Sequence, residues 1–225
     1  MKSVSTTLAV GLLLAGSLVH AADFYTIAGV TSDTSGTDFF PAVNLIEGAG
    51  VGFDAAEPHN RTSTLTWVTN APNGGAGDYF APTPTPGPRL VFDLGEDVLL
   101  GEISVWGYAD TNANGANEFS LEFATEADGT GGFGTSVTYN PTFDAIQDTS
   151  PRQSNPFDEL VTARYVALTP TDNFFGISPP GGDRVGLGEV AFEVQVIPEP
   201  ASIAIWSMIG VGLAAFGWIR IRRKK

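Results

Sequence analysis

Asn117–Thr125 reads NEFSLEFAT. Phe119, Leu121 and Phe123 alternate with Glu118, Ser120 and Glu122. A period of two puts the apolar side chains on one face of an extended chain and leaves the carboxylates in water, the pattern of a half-buried strand. Gly188–Val196, GEVAFEVQV, repeats it, with Val190, Phe192, Val194 and Val196 set against Glu189, Glu193 and Gln195. Working outward, Thr64–Val68, Leu90–Leu94, Val98–Tyr108, Thr135–Tyr139 and Val161–Leu168 read as further strands. Between them lie turn-rich stretches such as NANGAN (112–117), ADGTGGFG (127–134) and SPPGGD (178–183), whose glycines and prolines punctuate the chain. No amphipathic run is long enough for a sizeable helix. About eight short strands predict an all-β fold, a single antiparallel β-sandwich or jelly roll over residues 22–196.

Composition agrees with that class. The 225 residues include 27 Gly and 15 Pro without a fixed period, yet 43% are hydrophobic, enough to fill a core. Cys is absent, which excludes disulfides, cysteine nucleophiles and cysteine-ligated zinc. The low-complexity stretch APTPTPGP (81–88) cannot join a central ladder because proline lacks an N–H, and it reads as a loop within one domain.

Charge divides the chain. Arg220, Arg222, Arg223, Lys224 and Lys225 close it and Lys2 opens it, so residues 22–200 hold five Arg against all 25 acids, a formal charge of −20. Such a surface repels phosphate backbones, so nucleic acid is not an expected partner, whereas divalent cations are. Residues 1–21 read as a secretory signal peptide: Lys2, an apolar run over Leu8–Leu18, and Val19 and Ala21 at the positions signal peptidase reads. An N-terminal anchor is the alternative reading, with a run short for spanning. Ala201–Ile219 carries no charge for 19 residues and is followed by cations. That is the length and flank of one transmembrane helix whose basic end (220–225) stays cytoplasmic.

Pro198-Glu199-Pro200, the apolar span and the Arg-rich terminus follow one another within residues 197–225. Together they resemble the PEP-CTERM sorting signal of exosortase substrates. The resemblance implies the secretion machinery and exosortase as partners, an inner-membrane-anchored precursor, and delivery to the cell envelope, outer surface or biofilm matrix. A permanent single-span anchor is the alternative. Both prolines fix φ and lack donors, which keeps the motif extended beside the membrane.

Within the body, FPAVNLIEG (40–48), LTW (65–67), LVFDLG (90–95), EISVWGY (102–108), ARYVAL (163–168) and GLGEVAFEV (186–194) resemble the discoidin-like, or galactose-binding-like, β-sandwich. The resemblance implies a structural Ca²⁺ held by Glu47, Thr66 and Glu189, with Asn44 as a carbonyl donor, an oxygen-only set of the kind calcium tolerates. Glu47 stands where the family usually has Asp, and Glu47 and Glu189 also read as an ordinary turn carboxylate and a solvated strand residue. The resemblance further implies a ligand site at loop tips. Phe174-Phe175 and Tyr79-Phe80 are the aromatic pairs expected to be exposed there, with Asn173 and Arg184 as hydrogen-bonding groups; flat rings suit the apolar side of a pyranose. Core packing is the other reading of both pairs.

Catalytic signals are few. His59 is the sole histidine outside the leader, no GxSxG elbow occurs, and histidine-rich zinc motifs are ruled out by the count. A paired-carboxylate glycosidase stays open, since spacing in sequence does not fix distance in space. The sequence therefore leaves three functions in order: an exported binder of polysaccharide or another surface partner, a purely structural matrix component, and a glycoside-acting enzyme.

Overall fold

The computed structural model describes residues 24–34, 40–46, 66–72, 77–81, 88–108, 113–148, 151–177 and 180–195, together with Trp206 and Gly210. The expected signal peptide (1–21), Glu47, His59, most of the proline-rich loop and the expected sorting signal (197–225) apart from those last two residues lie outside them. Among the described residues no helix is long and apolar enough to cross a membrane.

Among the described residues there are eight strands: β1 (Gly29–Ser32), β2 (Trp67–Val68), β3 (Leu90–Trp106), β4 (Ala116–Ala124), β5 (Thr142–Asp144), β6 (Gln153–Asn173), β7 (Gly186–Leu187) and β8 (Glu189–Val194). In β4 the alternation holds: Phe119, Leu121 and Phe123 are buried and Glu118, Ser120 and Glu122 are not.

The sheet runs β1-β3-β6-β4-β5, with β8 on the other side of β3 and a separate ribbon of β2 and β7, all antiparallel. Two strands serve both layers. The first part of β3 pairs with β1 and with the end of β6, and its second part pairs with β8 and with the start of β6. Between them the β3–β6 register breaks at Asp93/Val98, where Gly95 takes φ 85°, and again at Leu100/Glu102. Such bulges bend a strand and let it pass from one layer to the other. The halves then close on each other. Phe92 of the first half meets Phe192 of β8 edge-on, ring centroids 5.8 Å apart. Leu100, Ile103, Val105 and Val190 share one core with Leu90, Leu121, Phe123 and Leu168. The fold is an antiparallel β-sandwich, as the sequence predicts.

Several details differ from the sequence reading. The strands expected at Leu90–Leu94 and Val98–Tyr108 merge into one that ends at Trp106, because Gly95 bends the chain without ending it. Thr135–Tyr139 is not a strand: Thr135 closes a turn onto Gly132, and Val137 and Tyr139 pack on the core from an unpaired backbone, Tyr139 stacking on Phe123. The strand falls later, at β5. Glu189 does not face solvent; it is 2% exposed. It opens β8 opposite Trp106, where the 3₁₀ turn Ala42–Leu45 packs over β8 and β2.

Phe192→Ala removes a fully buried ring that joins the two layers, and large-to-small changes at such sites cost about 3–5 kcal/mol. A urea melt should lose that much; a loss below about 1 kcal/mol would contradict the packing of the two halves.

Candidate functional site

Where β6 ends at Asn173 the chain enters a glycine-rich loop that returns at Val185 to start β7. Gly176 (φ 82°), Gly181 (φ 138°) and Gly182 (φ 93°) sit in left-handed conformations, which glycine adopts without the penalty a Cβ brings. Gly182 has a second reason to be glycine: a Cβ there would lie 2.8 Å from the Phe175 backbone.

Buried amides hold this loop to the sandwich. The Asn173 side chain donates to the carbonyls of Gly182 (2.8 Å) and Arg184 (3.0 Å) and accepts from the Phe175 N–H (3.0 Å). Asn114 Oδ1 accepts from the Gly182 N–H at 2.6 Å. The Thr69 hydroxyl accepts from the Val185 N–H, and the Tyr79 N–H donates to the Gly182 carbonyl. One loop is thus tied to three other segments.

Every aromatic and polar residue the sequence nominated for ligand binding falls in this cluster, but their exposures differ. Tyr79 and Phe174 are buried, contrary to the expectation of exposed pairs. Burial also raises the Tyr79 phenol above its ordinary pKa. Asn173 is buried too, and its amide is engaged within the loop. These three build the site and present no surface to a ligand. Phe175 remains, 47% exposed, with Phe80 half-buried against Tyr79 and Arg184 partly exposed, its Nε 3.6 Å from Asp183. Phe175, Gly176, Ile177, Pro180 and Gly181 line an open cleft of about 420 Å³. Sequence reasoning missed Ile177, which is 50% exposed, because a lone isoleucine in a turn carries no pattern.

Of the second nominated cluster, Asn44 and Thr66 meet. The Asn44 side chain donates to the Thr66 carbonyl at 2.9 Å, and both are buried. The turn carrying Asn44 packs on β8, whose first residue is Glu189. Asn44, Thr66 and Glu189 carry hard oxygen donors, and Glu189 is a buried carboxylate, donor chemistry that suits calcium. Glu47, the fourth member, lies outside the described residues. Among the described residues no three His, Cys, Asp or Glu group to hold a metal.

One pair of carboxylates also lies close, Glu102 on β3 and Glu193 on β8. Arg152 bonds Glu102 directly and stands 3.9 Å from Glu193. Burial opposes ionisation of Glu102, but Ser154, Arg152 and Ser104 hold its pKa below the usual glutamate value. Burial and the neighbouring Glu102 push Glu193 up. Arg152 therefore ties the pair into the sheet.

With this geometry in hand, known proteins can be compared. No family model and no curated protein matches the chain. Solved structures do. Two family 32 carbohydrate-binding modules of Clostridium perfringens ZmpB, solved with GalNAc, match at a TM-score of 0.50 and 11% identity, over 76% of this chain and 35% of that one. In fold the chain is similar to family 32 carbohydrate-binding modules. The module of C. perfringens NanJ, solved with galactose, matches at 0.48 and 11% identity, over 73% and 92% of the two chains. The module of AlyQ, solved with 4,5-unsaturated mannuronic acid, matches at 0.45 and 20%, over 75% and 96%.

Asn173→Ala takes the amide partner from the Arg184 carbonyl and the Phe175 N–H and leaves the Gly182 carbonyl with the Tyr79 N–H alone, at about 1–3 kcal/mol for such a loss. Denaturation should register the drop, and hydrogen exchange should quicken at the amides of Phe175 and Gly182. Unchanged exchange there would show that the amide does not hold the loop.

Proposed function

We propose that the sandwich is a non-catalytic carbohydrate-binding domain whose ligand lies in the cleft beside Phe175. The observation that carries this reading is an exposed aromatic ring on a loop fixed by buried hydrogen bonds. A flat ring matches the C–H face of a pyranose, and a loop ordered before binding loses little entropy on binding. Asp183 and Arg184 follow on the same loop and carry its charged groups. The likeness in fold to modules solved with GalNAc supports the reading. Glu102 and Glu193 are held by Arg152 in the sheet, which favours binding over hydrolysis.

The domain works outside the cytoplasm, sorted through Pro198-Glu199-Pro200, the apolar span and the basic tail to the envelope or extracellular matrix, with polysaccharide there as its partner. Support comes from the order of those three segments behind a leader. Calcium at Asn44, Thr66 and Glu189, with Glu47, is its structural ion. Support comes from the Asn44–Thr66 hydrogen bond and from the packing on β8 of the turn that carries Asn44. When bound, the ion would neutralise the buried Glu189 carboxylate and fix the turn onto β8.

Two measurements test these statements. In affinity electrophoresis against a polysaccharide panel, Phe175→Ala should weaken retardation about tenfold or more, equivalent to ~1.4 kcal/mol, with an unchanged melting temperature. Equal retardation of variant and parent would remove the cleft. Separately, saturating Ca²⁺ at a hundredfold over its Kd should stabilise the domain by about 2.7 kcal/mol relative to chelator. Glu189→Gln should abolish that gain, and identical melts of the parent in both conditions would dismiss the ion.

A further inference from the structure

The charge of the body constrains which glycan the cleft takes, an inference that rests on the carbohydrate-binding reading above. Residues 22–200 contain no Lys and five Arg against 25 acids. Arg61 lies outside the described residues. The other four are each engaged with a carboxylate. Arg89 meets Glu122 at 2.9 Å, Arg152 meets Glu102, and Arg164 meets Asp93 (2.9 Å) and Glu126 (2.8 Å). Arg184, the cation on the cleft's own loop, faces Asp183 at 3.6 Å.

An anionic sugar would therefore find no vacant guanidinium among the described residues. An anion that reached Arg184 would bring its charge beside the Asp183 carboxylate. Long-range forces act the same way. A body of charge −20 repels a polyanion during approach, screened only beyond about 8 Å at physiological salt. The surfaces the cleft does offer, the Phe175 ring, Ile177 and Pro180, attract C–H faces and carry no charge preference.

We propose that the cleft is selective for glycans without carboxylate, sulfate or phosphate groups, and that the domain discriminates against polyuronates and sulfated polymers.

The test is affinity electrophoresis of the full chain in mild detergent, with chelator present so that no added cation bridges anions. The gels contain neutral galactans, glucans and mannans, or alginate, or a sulfated galactan. At least one neutral polymer should retard the chain, in a manner that Phe175→Ala abolishes and salt barely alters. Alginate and the sulfated polymer should bind about tenfold more weakly or not at all. Retardation by alginate equal to the best neutral polymer, and lost in Phe175→Ala, would overturn the selectivity while leaving carbohydrate binding intact. Retardation by no polymer of either kind would bring down the carbohydrate-binding reading itself and the selectivity with it.

Discussion

The molecule depends on a strand that is out of step with itself. In a regular strand residues an odd number apart point to opposite faces, so Phe92 and Ile103 should not share a core. They do. The register breaks in β3 change which parity faces inward: Leu90, Phe92, Leu94 and Leu100 are buried before the second break, and Ile103 and Val105 after it. Without that change one layer would turn its apolar residues outward. With it, β3 and β6 bind both layers, and the ring of Phe92 reaches that of Phe192.

That frame places the two clusters of interest on one short ribbon. β2 and β7 pair Trp67 with Leu187 and Val68 with Gly186. Beyond one end Thr69 bonds Val185 and so anchors the Phe175 loop. Beyond the other, Thr66 meets Asn44 beside the start of β8. Thr66 and Thr69 lie three residues apart, roughly 10 Å along an extended chain.

The arginines show how an acidic body stays folded. Arg152 joins β6 to β3 through Ser104 and Glu102 and covers the Phe24 ring. Arg164 joins β6 to Asp93 with two bonds and reaches Glu126 beyond β4. Its hydrogen bond to Asp93 holds that carboxyl below the usual aspartate range. Cations are few, and Arg89, Arg152 and Arg164 sit where strands need cross-ties, leaving the remaining acids to repel one another on the surface.

The sequence by itself determined the fold class, because half-buried strands must alternate: Phe119, Leu121 and Phe123 point inward as NEFSLEFAT requires. It also nominated the residues around the loop, since aromatic pairs and an Asn beside glycines are a local signal. Tertiary structure decided which of them face water. Phe174 and Phe175 are the same residue type in adjacent positions, yet one is buried and the other half-exposed. Likewise Glu189 lies on the face that alternation assigns to solvent, yet it is buried. Periodicity reports the two faces of a strand; it carries no information about what a distant segment lays across them, and burial depends on that.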